Sequence, residues 1–467
     1  VSGVMIGTTH FTNAVVERRR LTPTAAVRLG LPATAALPPM TDWPADLRRA
    51  LGEHVFLCHG GFEFDGRRIS PLDEDEIRRV AERIAALGIR SVAVSSVFSP
   101  VNAEMELRAA EILDETLPGV AVSLSHQIGR VGLLERENAT ILNACLRELA
   151  DSITDALEAA VREASIGAPL YISQNDGTLM SVDYCRRYPV ATFTSGPTNS
   201  MRGAAFLSGE TDCVVVDVGG TTTDVGALVH GFPREAALAV QVGGVRTNFR
   251  MPDVLSVGLG GGSLVERGER GLEVGPRSVG YRITERALVF GGDTLTATDL
   301  AVAAGLAEIG DPGRVRGLDR DLVEAGVGLI QERLAELVDR VKTSAEPLPV
   351  VIVGGGSVLV REGLPGASRV VKPDHFAVAN AIGAAIAQVG GETDRIFSLA
   401  ELPRERALEA AQREAIDKAV AAGAEPDSVQ VVDVEEVPLA YLPSNAVRIR
   451  VKAVGDLRLG VADAARA

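Results

Sequence analysis

The sequence predicts an α/β protein with two main domains, and three observations carry that expectation. Runs of β-branched residues alternate with segments of helical periodicity across short connections, which is the pattern of a parallel or mixed sheet. Hydrophobic residues make up 46% of the chain and aromatics only 4%, so the core must be built from Val, Leu, Ile and Ala. Three β-branched runs each end in a glycine-rich turn, at 217–224, 258–263 and 353–357. At about 100–200 residues per domain, a chain of this length makes two to four domains with ample core.

The first part of the chain reads as follows. Val4-Met5-Ile6 and Gly7-Thr8-Thr9 look like a strand and a turn already inside a domain, and the opening on Val1 predicts that further sequence precedes it. A helix is expected over Phe11 to Glu17, capped near Thr12 or Asn13. Residues 21–50 are rich in Pro, Ala and Leu and read as irregular, with one short helix at Ala45 to Leu51. Glu74 to Ala86 carries Ile77, Val80, Ala81 and Ile84 at helical spacing. Ile89 to Val97 and Val120 to Leu124 are expected strands on either side of a helix from Asn102 to Glu115. Leu133 to Ser165 reads as one long helix or a kinked pair.

Strands are then expected at Pro169 to Gln174 and Val190 to Thr194, with a helix opening at Pro197, which suits a first helical turn. Cys213 to Val216 and Val225 to Val229 form a hairpin, followed by a third strand at Ala236 to Val240. Val254 to Val257 precedes Gly258-Leu259-Gly260-Gly261-Gly262-Ser263. A helix at Leu300 to Gly305 is capped by Thr298 or Asp299, and residues 321–342 form the clearest amphipathic helix. Val350 to Val353 leads into Gly354-Gly355-Gly356-Ser357, and Phe376 to Val389 is the next helix. A charged helix, Leu402 to Ala422, and strands at Val429 to Asp433 and Ala446 to Val454 close the chain. The expected domains are 1–190, 191–392 and a small α/β region over 393–467.

Composition excludes some functions. Lys plus Arg total 47 against 62 Asp plus Glu, a formal net charge of −15 with no basic block. That balance argues against an unselective nucleic-acid or acidic-membrane binder. Cys58, Cys145, Cys185 and Cys213 have no CxxC spacing, and buried thiols in a reducing cytoplasm are expected. The best apolar stretch is too short to span a bilayer.

The chemistry is concentrated in Asp217-Val218-Gly219-Gly220-Thr221-Thr222-Thr223-Asp224. Glycines without Cβ let backbone N–H groups approach an anion, three hydroxyls add donors, and a carboxylate at each end suits Mg²⁺ held through water. The same residues also suit a plain hairpin with a polar turn. Neither a GxxxxGK[ST] loop nor a GxGxxG opening a helix is present. An acid-ended glycine hairpin followed about 130 residues on by a strand and triple glycine instead fits two domains closing on ATP. His126, His230 and His375 are isolated, which predicts core or surface roles. Cys58-His59 has no second pair at metal spacing and is expected to be structural.

These residues carry a resemblance. Gly7 to Glu17, Ser99 to Glu104, Glu135 to Ala144, Gln174 to Met180, Ser195-Gly196-Pro197, Asp217 to Asp224, Val257 to Ser263, Gly275 to Ser278, Thr296 to Asp299 and Ala379 to Ala385 resemble, in order, the hydantoinase A and 5-oxoprolinase family. The resemblance implies an actin-like ATPase fold, shared with sugar kinases and heat-shock chaperones, with a small C-terminal appendage. It also implies an ATP- and Mg²⁺-dependent subunit that phosphorylates the carbonyl oxygen of a hydantoin, oxoproline or lactam for ring opening, beside a second hydantoinase-type (B) subunit. A homo-oligomer is a further expectation.

On that resemblance, Asp217 and Asp224 hold the metal or orient the reacting group. Gly219, Gly220, Thr221, Thr222 and Thr223 take the phosphates, and Gly354, Gly355, Gly356 and Ser357 lie near adenosine. Thr8, Thr9, His10, Asn13, Gly260 and Gly261 face substrate. The family's earlier acid-glycine-threonine loop is not found before Gly7, and Gly280 to Arg286 departs from a Pro-Gly-rich family segment. A non-catalytic nucleotide-binding or assembly subunit, and an ATP-dependent carboxylase subunit, are the alternatives.

Overall fold

The computed structural model describes residues 1–64, 66–236, 240–248, 251–268, 271–342, 344–439 and 445–458. The chain divides into two units. The first comprises Val1–Thr194, Ala236–Met251 and Gln388–Ala467; the second comprises Ser195–Glu235 and Pro252–Ala387.

The first unit holds two sheets. In the smaller, four parallel strands run in the order His54–His59, Thr24–Leu31, Ser91–Ser96, Ala121–Leu124. The strand at Thr24–Leu31 replaces the irregular stretch expected there. Its Thr-Ala-Ala-Val-Arg-Leu-Gly-Leu run lacks alternation because both faces are covered, which is the usual state of a parallel strand. The strand at His54–His59 was likewise not expected. Helices Glu74–Ala86 and Glu104–Thr116 cover one face through Ile77, Val80, Ile84, Ile112 and Leu113.

Leu133–Glu163 is one continuous helix of 31 residues. Its Leu142, Leu146 and Leu149 share a core with Ala26 and Ala93 of the parallel sheet and with Leu170, Ile172 and Met180 of the larger one. A helix between two sheets is buried on opposite sides, so its N-terminal half must bury polar residues too. Arg28, inside the sheet, is answered there: its Nε donates to Glu137 Oε2 at 2.7 Å, and Ser95 Oγ donates to the same oxygen at 2.6 Å.

The larger sheet runs Val4–Ile6, Leu170–Ser173, Thr178–Ser181, Gln388–Ser398, Ala446–Gly455, Gln430–Pro438. The C-terminal strands therefore extend the sheet of the first unit, and helix Arg404–Ala421 packs on them through Ala407, Ala411 and Ala415. The segment expected as a strand at Val190 to Thr194 forms a 3-10 turn, Pro189–Thr192, because Pro189 removes a ladder donor. Of the strand expected at Ala236 to Val240, residues 237–239 lie outside the described residues. Val240–Val242 pairs instead with Val245–Thr247.

The second unit is built on a sheet ordered Phe232–Pro233, Thr223–Val229, Cys213–Val218, Leu348–Val353, Ala367–Val371, with Val254–Val257 also on Thr223–Val229. Cys213–Val218 runs parallel to Leu348–Val353 and antiparallel to Thr223–Val229. Helix Arg320–Val341 covers one face through Val327, Ile330, Leu334 and Val338. The other face carries helices Ser195–Ser208 and Ala379–Ala385, the second much shorter than the helix expected from Phe376 to Val389. Those two helices touch backbone to backbone: a Cβ at Gly203 would overlap the Ala379 carbonyl, and one at Gly383 the Asn199 carbonyl. Helix Ala297–Ala303 starts earlier than expected because Thr296, not Thr298 or Asp299, is its N-cap. Asp299 closes a capping box with it.

All four cysteines are free and buried. Among the described residues no helix is long and apolar enough to cross a membrane.

Candidate functional site

The hairpin Cys213–Val218 and Thr223–Val229 sets the site. Its first strand is buried because it lies between two neighbours in the sheet, so its end is rigid where the chain turns. The turn residues Gly220, Thr221 and Thr222 are exposed, while Thr223 is buried and donates its hydroxyl to Leu259 O at 2.7 Å.

Two other glycine turns close on this tip. Gly261 N donates to Gly219 O at 3.0 Å, Gly262 N to Gly220 O at 2.7 Å, and Gly356 N to Val218 O at 2.7 Å. Segments about 40 and 130 residues further along the chain thus cap the carbonyls of the hairpin tip. The glycines are required sterically. A Cβ at Gly260 would stand 2.6 Å from Gly219 O and from Thr221 N, and one at Gly356 2.6 Å from Gly219 O. Gly354 has φ +86° and leaves no room for a Cβ beside the Asp217 carboxylate and Val218 O. At Gly220 and Gly355 a Cβ would meet nothing within 4 Å.

Asp217 and Asp224 are cross-strand partners in this hairpin. Burial pushes the Asp217 carboxyl above its usual range, opposed by a hydrogen bond from Ser200. Asp224 is pushed up to about 6, chiefly by burial and in part by the charge of Asp217, with the Ser256 hydroxyl donating to Oδ1 in opposition. Two half-buried carboxylates side by side, with no basic partner among the described residues, are the donor set a small divalent cation suits. Among the described residues no cluster of three or more His, Cys, Asp or Glu forms a protein-only metal site. Mg²⁺ does not need one, because it keeps several waters and takes phosphate oxygens as ligands.

Of the residues picked out in the sequence, Asp217, Gly219 to Thr223, Asp224, Gly260, Gly261 and Gly354 to Ser357 come together around this tip. Ser357 is buried and its Oγ has no hydrogen-bond partner among the described residues. Thr8, Thr9, His10 and Asn13 belong to the first unit, where hydrogen bonds link Thr8 to His10 and Thr9 to Asn13. Thr8 Oγ1 and His10 Nδ1 lie 2.7 Å apart, and Asn13 Nδ2 donates to Thr9 Oγ1 at 3.4 Å. Thr9 is the N-cap of helix His10–Glu17, where Thr12 or Asn13 was expected.

Sequence reasoning missed Ser200, Ser256 and Asn380. Ser200 stands one helical turn beyond Ser195-Gly196-Pro197, and Asn380 Nδ2 donates to Gly196 O at 2.8 Å and to Ser200 Oγ at 3.2 Å. The Ser-Gly-Pro and Ala-Asn-Ala motifs were the available signal. His126, expected to be isolated, is a correction: its Nδ1 lies 2.7 Å from Glu106 Oε2. The two are 20 residues apart in the chain, so no local motif joins them.

Comparison with known proteins agrees with this architecture. The family model described as hydantoinase/oxoprolinase matches residues 136–311, and the model for the hydantoinase/oxoprolinase N-terminal region matches residues 1–117. The acetophenone carboxylase gamma subunit of Aromatoleum aromaticum is 31% identical over 252 residues, 51% of this chain and 34% of that protein. The caprolactamase subunit alpha of Pseudomonas jessenii is 28% identical over 349 residues, 73% of this chain and 48% of that protein. The chain therefore spans about a third to a half of the curated relatives it matches. The solved structure of the ATP-dependent caprolactamase from Pseudomonas jessenii superposes with a TM-score of 0.75 at 19% identity, covering 97% of this chain and 78% of that one.

Proposed function

Given that the chain belongs to the hydantoinase/oxoprolinase family, with its two-domain, actin-like α/β ATPase fold, we propose that it is an ATP-dependent subunit of a cyclic-amide hydrolase. Its role in that reading is to activate the carbonyl oxygen of a hydantoin, oxoproline or lactam before a partner subunit completes hydrolysis. The observation that carries the proposal is the convergence of three glycine turns on a hairpin whose ends hold a pair of desolvated carboxylates.

When bound, Mg·ATP supplies an electrophilic phosphoryl group and charge to neutralise it. The chain's residues do the positioning on which such transfer depends. Gly220 to Thr222 offer backbone and hydroxyl donors at an exposed tip, whereas the Gly219 N–H and the buried Thr223 hydroxyl, expected on the phosphates, are committed to Thr222 O and Leu259 O; Gly260 and Gly261 fix the tip from behind. Asp217 and Asp224 hold the cation; Ser200 and Ser256 aim their carboxylates. Gly354 to Ser357 give a second backbone surface for the nucleoside. Phosphorylating an amide oxygen turns it into a leaving group, which makes a resonance-stabilised carbon attackable.

A second reading, activation for carboxylation of a ketone, is supported by the 31% identity to a carboxylase subunit. The experiment is Mg·ATP binding by calorimetry on the intact protein and on Asp217→Ala, followed by ATP turnover with hydantoin, 2-pyrrolidinone, or acetophenone plus bicarbonate. Binding abolished by the substitution and turnover stimulated by the cyclic amides is the expected result. Stimulation only with ketone and bicarbonate replaces the first reading with the second. Binding without any turnover makes the chain a non-catalytic nucleotide-binding subunit, and no binding removes the nucleotide reading.

A further inference from the structure

Within the first unit lies a cavity of about 980 Å³ that the nucleotide reading does not use. His126 lines it, on the 3-10 turn Ser125–Gln127 that ends the last strand of the parallel sheet. Beneath His126 is Glu106, fully buried on helix Glu104–Thr116. Glu106 accepts from Ser96 N at 2.7 Å, Ser125 Oγ at 2.5 Å and His126 N at 3.1 Å, and pairs with His126 Nδ1 at 2.7 Å.

The carboxylate is itself held. Ser125 Oγ accepts from Arg136 Nε at 2.9 Å, and the remaining guanidinium nitrogens of this buried arginine donate to Ser96 O, Arg130 O and Val131 O. The Glu135-Arg136-Glu137 run thereby acquires a physical role: Arg136 anchors the turn that presents His126, while Glu137 neutralises Arg28. A carboxylate at Nδ1 keeps the proton there and leaves Nε2 of the neutral ring as an acceptor. Nε2 has no hydrogen-bond partner among the described residues.

The other side of the cavity fits one class of ligand. Gln127 Oε1 accepts from Tyr188 OH at 2.9 Å, which turns the Gln127 amide N–H₂ outward as a donor. Tyr184 and Tyr188 pack with centroids 4.7 Å apart, and Met180 and Val190 add apolar lining. The lining carries three cations, Arg130, Arg395 and Lys418, against four carboxylates, Asp176, Glu392, Asp394 and Glu414; Glu414 lies 3.2 Å from Arg395 and 2.8 Å from Lys418, and Asp394 4.0 Å from Arg130. An anion therefore finds little uncompensated positive charge, whereas an apolar ring carrying an N–H donor beside a carbonyl acceptor finds both partners.

We propose that this cavity binds a neutral cyclic secondary amide, with its N–H donated to His126 Nε2 and Glu106 acting as the positioning residue that sets the imidazole tautomer. The ligand class rests on the reading above; the site itself does not, since it lies wholly in the first unit.

The test uses 2-pyrrolidinone and hydantoin without nucleotide on the intact protein, by calorimetry and by ¹H–¹⁵N NMR of the imidazole rings. The wild type is expected to bind, with His126 in the Nδ1–H form and its Nε2 resonance moving on addition of ligand. Glu106→Gln donates to Nδ1, transfers the proton to Nε2 and removes the acceptor, so binding should fall about tenfold or more with the tautomer reversed. Val101→Trp, which adds bulk at a lining residue outside the Glu106–His126 hydrogen bonds, should weaken binding with the tautomer unchanged. His126→Ala, checked for folding by its melting curve, should bind no better than Glu106→Gln. Undiminished binding by a folded His126→Ala, an unmoved Nε2 resonance, or tighter binding of glutamate than of either amide would overturn the proposal. Because no nucleotide is present, failure here leaves the ATP reading standing, and failure of Mg·ATP binding removes the ground for the ligand class while leaving the direct amide titration to decide the site.

Discussion

Asp217 and Asp224 face each other across the hairpin as direct antiparallel partners, both half-buried and both with carboxyls pushed above their ordinary range. The charge of Asp217 adds to the proton affinity of Asp224, and a bound cation would relieve it.

Stability should accordingly fall as pH rises through this pair. Asp224 titrates at about 6 when folded against 3.8 when unexposed to the fold, so the native state binds more protons between those values. The folded state loses at most about 3 kcal/mol over that window. Asp224→Asn removes the penalty. Its denaturation midpoint should exceed that of the wild type above pH about 6 and converge on it near pH about 4, at the unfolded reference value. A wild-type midpoint that rises across the same window would contradict the burial of this pair.

Mg²⁺ should compete with those protons. Millimolar Mg²⁺ is expected to raise the melting temperature more above the Asp224 titration than below it, and to do nothing in Asp217→Asn/Asp224→Asn. Equal stabilisation of the double variant would place the cation elsewhere.

Glycine-to-alanine substitutions separate architecture from ligand approach. Gly260→Ala drives a Cβ to 2.6 Å of the Gly219 carbonyl and must displace the hairpin tip, with an expected loss of about 1–3 kcal/mol. Gly355→Ala meets open space. It should melt like the wild type, so any loss of nucleotide affinity reports crowding of the ligand alone. Differential scanning calorimetry paired with nucleotide titration reads both effects.

Glu137→Ala should be among the most damaging single changes. It strands the Arg28 guanidinium, with its side chain 0% exposed, inside the parallel sheet at a cost of about 3–5 kcal/mol. Replacing Arg28 by Met in the same molecule should recover much of that loss. If the double variant is no more stable than the single one, the pair is not the source of the effect.

Helix contact in the second unit can be broken in the same way. Gly383→Ala forces a Cβ into the Asn199 carbonyl, separates the helices and draws Asn380 away from Gly196 and Ser200. Because Ser200 donates to Asp217, the Asp217 carboxyl should rise further, measurable by carboxyl ¹³C NMR.

Much of the fold was legible. The helices at Glu74–Ala86, Leu133–Glu163 and Arg320–Val341 carry long amphipathic or apolar periodicities, and the hairpin around Asp217 to Asp224 has strong turn chemistry. The strand Thr24–Leu31 was not legible, because a strand buried on both faces loses its alternation and this one holds an arginine whose partner lies 109 residues away. The end of the chain read as a separate small region, yet Gln388–Ser398 pairs with Thr178–Ser181, a register that no local pattern encodes.

By itself the sequence determined the class of fold, the three glycine turns and the paired aspartates, since these depend on local backbone geometry and on side chains a few residues apart. Only the tertiary structure decided that Gly261, Gly262 and Gly356 cap the hairpin tip, that Ser200 and Ser256 aim its carboxylates, and that Glu106 orients His126. Each of those contacts joins residues from different elements, and its strength comes from burial that exists only after the sheets and helices have packed.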